Sequence, residues 1–205
     1  MKTKAKRIVI LSALIFTLGS VTVFGESLWG SFEGFSKARV FINDSEVNIP
    51  EGDVPAFIVN GRTVLPLRLL AESLQATVSW DNTEQTAKIY KPNIHMFVSL
   101  DVDKEYTIKK PFGKVARGET RNFVVSTQVD TLKMNATGFK ITVEDPKGEL
   151  AAEAVEVPLE KASESFWYTW PFKVSFNQAG NYTVKFSLLV DGSYTVVSKK
   201  TIVSE

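Results

Sequence analysis

One histidine, no cysteine and 23 acidic residues are the chain's stock of conventionally reactive side chains. His95 stands alone, so neither a His-pair metal motif nor a thiolate site can be assembled, and there is no cysteine nucleophile and no disulfide. A serine–histidine nucleophile would have to use this one imidazole. His95 shares one face of an alternating run with Phe97 and Ser99, opposite Ile94, Met96, Val98 and Leu100. That placement reads as a surface or interdomain histidine. Asp101, Asp103 and Glu105 alternate like calcium ligands. The glycine and distal bidentate glutamate of an EF-hand loop are missing, and Lys104 sits among them, so a solvated loop is the reading. Any two carboxylates at the right separation could hydrolyse a glycoside, and with 23 acids a chance pair carries no signal. No catalytic, cofactor-binding or metal-ligating residue is assigned, and no cofactor is expected.

The segment 165–176 (SFWYTWPFKVSF) offers binding chemistry instead. Phe166, Tyr168, Trp170, Phe172, Val174 and Phe176 share one parity, which on a strand would face a core. Trp167, Thr169, Pro171 and Lys173 share the other. Pro171 removes a ladder donor and marks an edge strand or a bulge. Trp167, with Tyr168 and Thr169 beside it, could stack on a sugar ring or on a partner's apolar patch. The competing reading is packing of these rings in a core.

The elements that would hold such residues follow an address. Lys2, Lys4, Lys6 and Arg7 precede a run from Ile8 to Phe24 that is free of charge and mostly apolar. Val23 and Gly25 suit the small positions of a cleavage site before Glu26. Residues 1–25 read as a secretory signal peptide, with an uncleaved anchor as the alternative. The whole chain has 24 Lys+Arg and a net charge of +1; removing four basic residues leaves 20 against 23 acids, a net of −3. That balance supplies no pull toward nucleic acid and no basic run for anionic lipid. A secreted or cell-wall-associated location is expected.

Residues 26–36 form a lead-in that either folds back on the first domain or is a flexible linker. Over 37–92 the pattern gives about five strands and one helix. Asn43-Asp44 and Asn60-Gly61 sit between strand runs, and Asn-Gly is the residue pair that a type I′ hairpin turn selects. Pro66 suits a first helical position, and Leu67, Leu70, Ala71 and Leu74 make an apolar stripe. Arg68 and Glu72 are spaced to pair. Trp80 and Asp81 then open a further hairpin. Over 93–205 seven strand-like runs, at 94–100, 120–129, 137–144, 151–157, 165–176, 181–190 and 193–203, have turn signals between them. They predict a seven-stranded immunoglobulin-like sandwich.

The stretch Phe57-Ile58-Val59-Asn60-Gly61-Arg62-Thr63-Val64-Leu65-Pro66-Leu67-Arg68-Leu69-Leu70-Ala71-Glu72-Ser73-Leu74, followed by Val78-Ser79-Trp80-Asp81, resembles the copper amine oxidase N-terminal-like, or stalk, domain over about 38–90. The resemblance implies a five-stranded antiparallel sheet curled round one helix, and an exported protein of a Gram-positive bacterium. Asn60, Gly61, Arg62, Pro66, Arg68, Glu72, Trp80 and Asp81 then carry a structural motif. Gln75 stands where that family has glycine at the helix end. The family's oxidase chemistry needs three histidines and a separate catalytic domain, so no activity transfers. Gly180-Asn181-Tyr182-Thr183-Val184 is similar to the penultimate strand of immunoglobulin-like modules.

Together these readings describe a mainly β, exported, non-catalytic cell-envelope protein. It would bind cell-wall polymer, polysaccharide or an envelope protein, with no nucleic-acid and no membrane partner. The alternatives are an envelope hydrolase or accessory subunit using carboxylates, and a secreted inhibitor or small-ligand module acting through a loop such as 158–165.

Overall fold

The computed structural model describes residues 28–159 and 164–205. The proposed signal segment lies outside the described residues. So does 160–163, the middle of the candidate inhibitory loop. The chain divides into two compact units, the first ending at Leu65 and the second running from Pro66 to Glu205.

In the first unit the lead-in is itself a hairpin, β1 (Ser31–Phe32) and β2 (Phe35–Ser36). It is followed by β3 (Phe41–Ile42) with β4 (Ser45–Glu46), and β5 (Phe57–Val59) with β6 (Arg62–Val64). All three turns place two residues at positive φ: Glu33-Gly34, Asn43-Asp44 and Asn60-Gly61. These turns match the right-handed twist of their strands, so each hairpin closes locally. The rings of Phe32 and Phe35 lie 5.6 and 5.8 Å from that of Phe57, so the lead-in folds back onto β5. Among the described residues of this unit only Ala56 is buried.

The second unit opens with α1 (Leu67–Ser73), seven residues long, and a hairpin of β7 (Thr77–Asp81) and β8 (Thr86–Tyr90). Pro66 is the N-cap, one place earlier than its expected helical position. Gln75 N–H donates to Glu72 O at 2.9 Å and Ala76 N–H to Ala71 O at 2.8 Å. That pair of bonds is a Schellman ending, and Gln75 holds the left-handed position with φ 61°. The expected stripe is only partly covered, since Ala71 is buried but Leu67 and Leu74 are exposed. β3–β4, β5–β6 and β7–β8 are separate two-stranded ribbons, so residues 37–92 do not form the expected continuous five-stranded sheet.

The rest is a sandwich of two sheets. One has the order β10 (Ile108–Pro111), β9 (Asn93–Val102), β12 (Thr120–Asp130), β15 (Phe166–Ser175). The other runs β11 (Lys114–Val115), β17 (Ser193–Ser204), β16 (Gly180–Val190), β13 (Ala136–Glu144), β14 (Val155–Pro158). Six of the seven expected runs recur as strands over most of their length, and the fourth, 151–157, is a strand only over Val155–Pro158. β10 and β11 are additional, and β11 pairs parallel to β17 while the other pairs are antiparallel. β9 and β12 are neighbours in one sheet and β16 and β17 in the other, while the chain crosses between the sheets from β12 to β13, from β14 to β15 and from β15 to β16, in the Greek-key manner of an immunoglobulin-like domain. Phe123, Val125, Phe139, Ile141, Phe176, Tyr182, Val184 and Phe186 form the centre of its core. Tyr182 is buried at the start of β16, and its hydroxyl accepts a bond from Gln178 N–H at 3.2 Å. This is the tyrosine corner of such sandwiches. Val184, two residues on, stands where antibody domains carry a cysteine, so apolar packing does here what a disulfide does there.

Candidate functional site

The aromatic segment forms β15, the edge strand of the four-stranded sheet. Its ladder with β12 pairs Trp167 with Gln128 and Thr169 with Ser126. β12 in turn pairs Gln128 with His95 and Ser126 with Phe97 on β9. Because paired residues share a face, His95, Phe97, Ser126, Gln128, Trp167 and Thr169 form two adjacent rows across the outer face. Trp167 is 41% exposed and Phe97 38%. Trp167 and His95 flank Gln128 at two strand spacings, about 9–10 Å. Ser126 is buried, its hydroxyl 3.0 Å from that of Thr169. The result is a sheet face with two aromatic side chains and polar groups between them. Such a face can stack on a planar or ring-shaped ligand and hydrogen-bond its substituents, but offers no acid pair.

Tyr168 lies on the opposite face. Its ring meets Phe139 edge-on at 4.8 Å and stacks on Trp170 at 6.2 Å, and burial raises the pKa of its phenol. The parity expected for Phe166, Tyr168, Trp170 and Phe172 holds. Trp170 is nevertheless 41% exposed, since among the described strands none covers it at the sheet edge.

The remaining sequence candidates have structural environments. His95 is exposed. Asp103 accepts bonds from Glu105 N–H and Thr107 N–H and meets Lys109 at 2.9 Å. The Lys109 hydrogen bond, followed by that from Thr107 N–H, holds its carboxyl below the usual range. Among the described residues no group of three His, Asp or Glu side chains could hold a metal ion. Asn60 and Gly61 make the β5–β6 turn, and Arg62 and Arg68 are exposed. No ion pair joins Arg68 and Glu72 among the described residues, so the expected shoulder pair is absent. Asp81 accepts from Thr83 N–H at 3.0 Å and Glu84 N–H at 3.1 Å, closing the β7–β8 loop. These bonds, the one from Glu84 first, lower its pKa, with Lys88 at 3.4 Å adding to the effect. Trp80 Nε1–H donates to Asn82 Oδ1 at 2.7 Å. The Trp-Asp pair is thus a turn device.

Sequence reasoning missed one cluster. In the first unit the Arg39 guanidinium lies 4.6 Å from the Trp29 ring and 4.8 Å from Phe41, and makes two 2.5 Å bonds to Glu46. The Arg39-to-Glu46 spacing across a hairpin was the available signal. Cavities among the described residues include three of about 250, 290 and 350 Å³. Each has one lining carboxylate: Asp191, Glu72 and Glu46 respectively. The last is the acid already bound to Arg39.

With the hairpin, the helix ending and the Trp-Asp turn in place, the relationship is plain. Residues 41–112 match the copper amine oxidase N-terminal domain family. The match covers less than half of the chain and extends past the expected 38–90 into β9 and β10. Solved structures similar to this chain include two at 13% identity. One is a CARDB domain from Pyrococcus furiosus, solved in complex with di-metal ions, at 13% identity and TM-score 0.33 over 56% of this chain and 96% of that one. The other is an immunoglobulin-like protein from Pseudomonas aeruginosa, at 13% identity and TM-score 0.32 over 64% of this chain and 98% of that one. No curated protein matches the chain. The chain thus carries a segment similar to the copper amine oxidase N-terminal domain, together with a β-sandwich of immunoglobulin-like fold.

Proposed function

We propose that the protein is an exported, non-catalytic module of the cell envelope that holds cell-wall polysaccharide on the outer face of its four-stranded sheet. The observation that carries this reading is the pair of rows Trp167–Gln128–His95 and Thr169–Ser126–Phe97. An exposed indole stacks on the apolar face of a sugar ring, while amide, imidazole and hydroxyl groups beside it exchange hydrogen bonds with ring substituents. Tyr168 packs against Phe139 and Trp170 on the opposite face rather than touching ligand. The basic, apolar start of the chain supports export.

Retention on purified cell wall and on its isolated glycan strands tests the proposal. The protein should be retained, Trp167→Ala should lose retention at least several-fold, and Trp80→Ala should keep it. Equal retention of the two variants, or no retention of the parent chain on any wall fraction, would refute this reading.

A further inference from the structure

The free edge of β15 carries an inference separate from its outer face. β15 pairs with β12 alone among the described strands, without a register shift over ten residue pairs. Its two ends show which main-chain groups face β12. At one end Leu132 N–H donates to Glu164 O at 2.7 Å. At the other, Phe176 N–H donates to Glu119 O at 2.8 Å and Phe176 O accepts from Gly118 N–H at 2.7 Å. Even-numbered residues therefore direct their N–H and C=O toward β12. Strand alternation then directs those of Trp167, Thr169 and Pro171 to the open edge. Pro171, which has no N–H, sits where β12 requires none.

We propose that this edge pairs with the same edge of a second copy of the chain, antiparallel about a two-fold axis at Tyr168. In that register Trp167 faces Thr169 of the second copy. Both residues point their main-chain groups outward, so each of the two symmetric pairs closes two hydrogen bonds. On the core side Phe166 meets Trp170 of the second copy, and Tyr168 meets its own counterpart. Phe166, Tyr168 and Trp170 thus make the core side of the two-fold contact aromatic throughout. This register also places an aromatic ring against Trp170, which has core-facing parity yet is 41% exposed. Residues 165–172 carry no charge, so the contact meets no like-charge repulsion. Pro171 ends the free-edge donors and keeps the pairing short. One aromatic strand per copy buries less than the roughly 1,200 Å² of a standard interface, so dissociation in the range of about 1–100 µM is expected. Pairing would set two outer faces side by side, and the contact does not depend on what those faces bind.

Sedimentation velocity of the purified full-length chain over that concentration range should show a reversible monomer–dimer equilibrium. Thr169→Pro removes one open-edge donor while sparing the β12 ladder, as Pro171 already does. It should weaken the dimer at least tenfold while the circular dichroism stays native. The chain has no cysteine, so a single added one reports cleanly. Tyr168→Cys places two thiols in a pair with Cα atoms about 4.5 Å apart, within disulfide reach, and should form a linked dimer under mild oxidation. Ser175→Cys, beyond Pro171, should not. A chain that stays monomeric at about 100 µM, a dimer indifferent to Thr169→Pro, or equal cross-linking of the two cysteine variants would overturn the proposal. A monomer that instead pairs this edge with an extended peptide from another protein would overturn it too.

Discussion

Replacing Gln75 by glycine should stabilise the protein. Gln75 holds the left-handed position of the Schellman ending with φ 61°, a conformation that costs a residue with a Cβ about 1–2 kcal/mol. Glycine adopts it freely but loses about 0.5–1 kcal/mol more chain entropy on folding. The difference is a gain of about 0.5–1 kcal/mol. Nothing offsets it, because the Gln75 side chain makes no hydrogen bond or ion pair, and both capping bonds are main-chain. For a chain of this size the gain raises the unfolding midpoint by about 1–4 °C. Thermal and urea melts would measure it, and slower exchange of the Ala76 amide would localise it to the helix end. Gln75→Ala is the discriminating control, since alanine keeps the left-handed penalty and should gain nothing. If alanine stabilises as much as glycine, or if glycine destabilises, the backbone argument is wrong.

Tyr182→Phe keeps the ring packing but removes the acceptor for Gln178 N–H, and should cost about 0.5–1.5 kcal/mol in urea unfolding. Gly138→Ala would bring a Cβ to 3.0 Å from Val157 O on the neighbouring edge strand, so β14 must shift; a loss of about 1–3 kcal/mol is expected, with faster amide exchange along β14. The carboxyls of Asp81 and Asp103 have lowered pKa values when folded, held down chiefly by Glu84 N–H and by Lys109 respectively. Their stabilising contribution is therefore present above the ordinary carboxylate range and is lost as pH falls through their folded values. Asp81→Asn should accordingly flatten the acid limb of a stability–pH curve, and an unchanged limb would count against this.

Local chemistry was legible in the sequence because it depends on neighbours in the chain. Asn43-Asp44, Asn60-Gly61 and Asp191-Gly192 each close a two-residue hairpin with both φ values positive, as the residue types demand. The strand parities of β13, β15 and β16 were readable for the same reason, since alternation is a property of extended backbone. Tyr182 was visible as a Gly-x-Tyr pattern, and Gln75 as a departure from glycine whose backbone consequence the structure then displayed. Each signal spans fewer than a dozen residues.

What the sequence could not determine depends on which distant strand lies alongside. Periodicity showed apolar stripes in residues 37–92 but not whether their hairpins join, and the ribbons stay separate. Alternation put Trp167 and Tyr168 on opposite faces. Only the β12 pairing determined that His95, 72 positions earlier, stands in the same row as Trp167. Only strand order made β15 an edge, leaving a core-facing Trp170 half in solvent. Turns and faces are set by the φ/ψ preferences of adjacent residues, whereas rows and edges are set by long-range burial and hydrogen bonding, which no local pattern encodes.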